Sequence, residues 1–169
     1  MTAVTSSGTA VVALPTDEQI LITRDFAAPA HLVYKAVTTP ELIKRWWSAK
    51  RGAVTVAEVD LQVGGKWRNV METEDGFEVA FHGEYREIVP NRRLVSTEVY
   101  EMPGVDPKEA DANATINTVT LEESDGRTTM TVLIQCPSAD IRRMIIESGM
   151  EAGMQDAYDL LEEVAISLG

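Results

Sequence analysis

The segment DLQVGGKWRNVM, Asp60 to Met71, can be read in two ways that imply different kinds of protein. Two adjacent glycines, Gly64 and Gly65, stand directly before a basic–aromatic–basic triplet. Such a pair can cradle a phosphate or turn a hairpin. A phosphate loop hands the chain to a helix N-terminus. Here the flanks are TVAEVDL and KWRNVMETE, which alternate apolar and polar residues as strands do. The pair is therefore expected to form a two-residue hairpin turn with positive φ. That register places Trp67, Asn69 and Met71 on one face, and Lys66 and Arg68 on the other.

The same alternation extends in both directions. QILITRDF, FEVAFHGEYREIV, RRLVSTEVY, TINTVTLEE and RTTMTVLIQC read as further strands. Asp75-Gly76, Pro90-Asn91 and Ser124-Asp125-Gly126 punctuate them. Between the first strand and the rest, PAHLVYKAVTT and TPELIKRWW read as two short helices, with Thr39 a cap and Pro40 at a tolerated first position. The acidic stretch Glu101 to Asn113 is expected to be a mobile loop near a cavity mouth. From Pro137 onward the spacing turns helical behind a Ser138 cap, for about 30 residues or ~45 Å. Residues 1–17 are expected to form a flexible arm, and 18–169 a single domain.

Composition bounds the function. The chain has 169 residues, 44% of them hydrophobic, and a net charge of -12. Binding a phosphate backbone relies on clustered Lys and Arg, so nucleic acid is excluded as a partner, and anionic membrane surfaces are disfavoured for the same reason. The single cysteine, Cys136, permits no intrachain disulfide. The first 18 residues carry no Lys or Arg and read as no secretory leader, so a cytoplasmic protein is expected.

The order strand, two short helices, six strands, long helix resembles the helix-grip fold of the START-like (SRPBCC) superfamily. More narrowly, the chain resembles single-domain bacterial homologues of the activator of the heat-shock protein 90 ATPase. FAAPAHLVYKAVTTPELIKRWW, VDLQVGGKWRNVM, FHGEYREIVPNRRLVSTE, VTLEESDGRTTMTV and SGMEAGMQDAYDLL carry the resemblance. It implies an α+β fold: a seven-stranded antiparallel sheet curled around a long C-terminal helix, with a cavity between them. It also implies three functions. The first is binding of a small apolar or amphipathic ligand. The second is association with a chaperone. The third is cyclase- or hydratase-like catalysis from cavity residues, for which no residue set is recognisable.

Strand parity sends Phe77, Val79, Phe81, Gly83 and Tyr85 to the cavity side, and Glu78, His82, Glu84 and Arg86 to the other. The ligand-binding candidates are Trp46, Trp67, Met71, Phe81, Tyr85, Met130, Val132, Met150, Met154 and Tyr158. These residues either line a pocket or fill a core. Trp46 and Trp47, adjacent on a helix and about 100° apart, either both serve as structural packing, or one packs under the sheet rim while the other lines the mouth or meets a partner. Glu98 belongs to the outward charges in this register and becomes the catalytic candidate if its strand runs in the opposite one. His31 and His82 lack metal-site spacing, and Cys136 reads as a small buried residue. No cofactor or metal is expected. The expected partners are a small apolar molecule and a chaperone, for a monomer or homodimer.

Overall fold

The computed structural model describes residues 3–5 and 9–169. The chain opens with β1 (Ala3–Thr5), β2 (Val11–Leu14) and β3 (Gln19–Phe26), then α1 (Ala30–Thr38) and α2 (Pro40–Trp46). Strands β4 (Gly52–Val59), β5 (Lys66–Thr73), β6 (Glu78–Val89) and β7 (Arg93–Tyr100) follow. A short helix α3 (Pro107–Ala112) precedes β8 (Thr115–Ser124) and β9 (Arg127–Gln135). Two helices, α4 (Ala139–Glu147) and α5 (Met150–Ser167), complete the chain. The strands form one sheet in the order β1-β2-β3-β9-β8-β7-β6-β5-β4. Every neighbouring pair of these strands is antiparallel. The seven strands legible in the sequence are β3 to β9, and β1 and β2 extend the sheet beyond β3.

That extension corrects the expected flexible arm. Residues 1, 2 and 6–8 lie outside the described residues, but Val11–Leu14 pairs with β3, and Ala10 and Val12 are buried. The anchor is Gln155 of α5. Its amide donates to the Ala10 carbonyl at 2.8 Å and accepts from the Ala10 N–H at 3.0 Å, as a neighbouring strand would. Sequence periodicity could not reveal this partner, 145 residues away.

The glycine pair also differs from expectation. Strand β4 ends at Val59 and β5 begins at Lys66, so the connection is residues 60–65 rather than a two-residue turn. Only Gly64 has positive φ, at 85°. Gly65 serves another purpose: a Cβ there would stand 2.1 Å from the Asp60 carbonyl oxygen. The connection is stitched to β6 by Gly64 N–H to Tyr85 O at 2.8 Å and Tyr85 N–H to Gly65 O at 2.9 Å. The tight hairpin lies elsewhere. Ser124 pairs with Arg127 around Asp125 and Gly126, both at positive φ, as a type I′ turn requires.

The C-terminal helical segment is broken. Ser138 caps α4 by accepting from the Ile141 N–H at 3.2 Å. The helix stops at Ser148, and Gly149 turns left-handed at φ 82° before α5 restarts. The 18 residues of α5 span ~27 Å at about 1.5 Å per residue. The core gathers Ile20, Ile22 and Phe26 of β3, Met130, Val132 and Ile134 of β9, and Met154, Leu161 and Val164 of α5. Arg24 locks the same elements together. Its side chain is 3% exposed, 2.6 Å from Asp159 and 3.4 Å from Glu162, with the guanidinium 4.7 Å over the Phe26 ring. Among the described residues no helix is long and apolar enough to cross a membrane.

Gly65→Ala must displace the Asp60 carbonyl. Overpacking of that kind is expected to cost about 1–3 kcal/mol, a fall in Tm of about 2–4 °C per kcal/mol in a domain of this size. A thermal scan by circular dichroism checks it. An unchanged Tm would mean the connection shifts without resistance.

Candidate functional site

Antiparallel pairing carries one set of side chains across the inner, helix-facing side of the sheet. Trp67 pairs with Gly83, Asn69 with Phe81 and Phe81 with Tyr100. Tyr85 pairs with Ser96 and Ser96 with Asn117. Glu98 pairs with Thr115 and falls opposite Gly83, between the Phe81–Tyr100 and Tyr85–Ser96 pairs. Glu98 is therefore an inner-face residue, in the register opposite to the outward one expected.

The packed core covers only part of this face. It draws on β2, β3, β8, β9, α1 and α5, and no residue of β4 to β7 belongs to it. Over β5 to β7 the inner side chains Trp67, Met71, Phe81, Ser96 and Glu98 remain half-buried. Tyr158 of α5 faces the same region, packed edge-on to Phe26 at 6.2 Å.

The polar groups of this open half are few and poorly partnered. The Asn117 side chain hydrogen-bonds the Glu98 carboxyl, and its own Oδ1 accepts from the Thr115 hydroxyl at 2.9 Å. Burial pushes the Glu98 carboxyl up from its ordinary value, against that hydrogen bond. The Tyr158 hydroxyl is raised by burial first and by Glu98 second. Tyr85 is pushed up to about 12 by burial, with Tyr34 adding to it. Two buried atoms, Trp67 Nε1 and Asn69 Oδ1, have no partner among the described residues. Trp67 Nε1 lies 2.6 Å from where a Cβ on Gly83 would stand. The Thr97 carbonyl oxygen would be closer still, at 1.8 Å, so only glycine fits at 83 between the β7 backbone and the indole.

An aromatic series leads from this region to the surface. Trp47, just past α2, meets Phe81 edge-on at 5.8 Å, and Phe81 stacks on Tyr100 at 5.1 Å. Tyr100 is 42% exposed and forms the rim. Of the two adjacent tryptophans it is Trp47 that reaches the inner face. Trp46 packs against the core and donates its indole N–H to the Ala36 carbonyl at 2.9 Å. Among the other sequence candidates, Trp67, Met71, Phe81 and Tyr85 lie on the open half. Met130, Val132 and Met154 are core residues, with Met150 and Tyr158 packed along their margin. Phe77 precedes β6 and is 70% exposed.

The outer face carries a second cluster that the sequence reading missed. Arg68 grips Glu101 with two hydrogen bonds of 2.9 Å, and His82 Nδ1 lies 2.8 Å from the same carboxylate. The Arg68 guanidinium, with His82 adding to it, brings the Glu101 carboxyl down to about 2. Met102, Val105 and Pro107 line the adjoining cleft of about 520 Å³. The Glu101–Asn113 segment thus lies over the outer face rather than at the inner mouth, and carries α3, capped by Asp106 on the Lys108 N–H. The cluster's charges satisfy one another, which makes it a structural clasp. Cys136 is buried, burial pushes its thiol up, and it is not poised as a nucleophile. Among the described residues no three His, Cys, Asp or Glu side chains gather to hold a metal.

Two variants separate the clusters by opposite signs. The folded Glu98 carboxyl is raised, so its ionisation opposes folding as pH climbs above the unfolded carboxyl value of about 4.3. Glu98→Gln is expected to raise Tm at neutral pH, with the gain vanishing on acidification. Glu101 is lowered, so its contribution is present above about pH 4.3 and lost as pH falls toward about 2. Glu101→Gln is expected to destabilise at neutral pH by about 1 kcal/mol, since the cluster is partly solvent-screened. Thermal scans at several pH values read both, and a Glu98→Gln variant less stable at pH 7 would contradict the burial argument.

Comparison with known proteins places these features in a family. Solved structures superpose over nearly the whole chain. A crystal structure from Rhodobacter sphaeroides has a TM-score of 0.82 at 22% identity, covering 92% of this chain and 97% of that one. One from Mycobacterium smegmatis gives 0.80 at 23%, covering 96% of each. One from Nitrosomonas europaea gives 0.77 at 23%, covering 90% and 96%. These likenesses show the fold, the antiparallel sheet and C-terminal helix of the START-like helix grip. A search of curated proteins found no match. The family model described as Activator of Hsp90 ATPase homolog 1-like protein matches residues 27–165, and the chain belongs to that family.

Proposed function

We propose that the protein binds a small, largely apolar molecule against the open half of the inner face. The observation that carries this reading is the pair of buried, unpartnered atoms, Trp67 Nε1 and Asn69 Oδ1. An unsatisfied buried polar group costs about 1–3 kcal/mol, and a ligand bearing an acceptor and a donor removes that penalty on binding. The surrounding walls suit the apolar remainder: Phe81, Tyr85, Tyr158 and Met71 supply aromatic and flexible surface. A few convergent polar groups on an apolar lining is the usual composition of a small-molecule site. The family's description supports a second reading, association with a chaperone ATPase.

Ser96 stands on the inner face between Tyr85 and Asn117, so Ser96→Leu fills space there without touching the core. The expected result is Nile red binding by the parent and about tenfold weaker binding, equivalent to ~1.4 kcal/mol, by the variant at an unchanged Tm. Equal binding by both would place the dye elsewhere. A folded parent that binds no dye and retains no small molecule in native mass spectrometry, yet captures a purified Hsp90-type chaperone, would favour the second reading.

A further inference from the structure

We infer that the inner-face site selects ligands carrying a protonated amine, with Glu98 as the carboxylate that pairs with it. This rests on the binding reading above and adds the charge class of the ligand.

The first argument is the position of Glu98. It faces inward, opposite the one inner position in its row that has no side chain, Gly83. With no side chain at Gly83, the Thr97 carbonyl and the Trp67 indole close in on that glycine, and the Glu98 side chain lies beside the indole's row on the inner face. Glu98 and Tyr158 both lie deep, yet each keeps part of its surface accessible, as side chains lining an internal space do.

The second argument is charge. Asn117 and Tyr158, the groups that act on Glu98, are both neutral. No Lys, Arg or His forms an ion pair with it among the described residues. Arg24, the buried inner-face cation of β3, is committed to Asp159 and Glu162. Tyr34, Tyr85, Tyr100 and Tyr158, brought to this region from α1, β6, β7 and α5, cannot supply a positive charge, and the Arg51 guanidinium packs beside Gly153 of α5. Glu123, on the inner face of β8 at its far end, is held by the Ala30 N–H at 2.7 Å. An enclosed carboxyl without a cation is costly when ionised. An ammonium entering the site favours the ionised carboxylate and forms the missing pair.

The third argument is the lining. Trp67, Phe81, Tyr85 and Tyr158 present aromatic surface toward the same region. Cations gain about 0.5–2 kcal/mol over such rings, more as water is removed. A carboxylate ligand would meet Glu98 as a like charge, and an alcohol would gain only a neutral hydrogen bond. The net charge of -12 further raises the local concentration of cations.

Decylamine, decanol and decanoate share a tail and differ in the head, so calorimetric titration of all three separates the terms. The parent is expected to bind decylamine about tenfold more tightly than decanol, ~1.4 kcal/mol, and decanoate most weakly. Glu98→Gln should bring decylamine down to the decanol value while leaving decanol within about twofold (~0.4 kcal/mol). Should that variant not fold, the parent supplies an independent reading. Decylamine binding strengthens as the pH rises past the ordinary carboxylate range and Glu98 ionises, and decanol binding does not change. Decanol or decanoate binding as tightly as decylamine, or a decylamine preference that survives Glu98→Gln, overturns the assignment while leaving the site intact. A folded parent that binds none of the three overturns the site itself.

Discussion

One helix cannot cover a wide sheet, and that mismatch organises the molecule. The nine strands, about 4.8 Å apart, span ~38 Å along the sheet. A helix is about 10 Å across and covers the width of two or three strands. Helix α5 settles over β3 and β9, where Arg24 pairs with Asp159 and Glu162 and where Gln155 recruits β2. Helices α1 and α2 pack against α5, and α2 also packs against β4 at the far edge of the sheet. The inner faces of β5 to β7 lie outside the main core cluster, with Asn69 and Tyr85 buried and Trp67, Met71, Phe81, Ser96 and Glu98 half-buried. The open half is thus a geometric consequence of where the grip falls.

Such a surface has to settle its polar groups without water on every side and outside the main core cluster. The outer face does so with charge: Arg68, His82 and Glu101 satisfy one another beneath the α3 segment. The inner face does not. Trp67 and Asn69 present atoms with nothing to bond, and Glu98 is held by a neutral amide alone. Natural interiors satisfy nearly all such groups, so an unsatisfied pair calls for a specific explanation. The ligand proposed above would supply one for Trp67 and Asn69. The outer cleft of about 520 Å³ is lined by Trp67 and Gly83 as well as by the Arg68–His82–Glu101 clasp.

Family membership leaves this question open. A fold does not by itself fix a function, which is carried by the residues grafted onto it. The structural relatives share 22–23% identity with this chain and speak for the fold alone. The set Trp67, Asn69, Gly83, Glu98 and Asn117 is a property of this chain, and the functional argument rests there.

Much of the fold was legible in the sequence because period-two alternation and turn residues are local signals. Strands β3 to β9, both short helices, the Ser138 cap and the inward parity of Trp67, Phe81 and Tyr85 all followed from neighbours a few residues apart. The failures share one cause. The six-residue connection at Gly64-Gly65 depends on hydrogen bonds to Tyr85, the ordering of β2 on Gln155, and the clasp at Glu101 on Arg68. Each is a partner distant along the chain. The site divided in the same way. Its apolar wall was readable from strand parity, whereas core and open surface looked alike until α5 took its place over β3 and β9. Glu98 was a solvent-facing charge in one register and a buried carboxyl in the other. Only the pairing of β7 with β6 and β8 decides between them, because a shift of one residue turns every side chain of a strand to the opposite face.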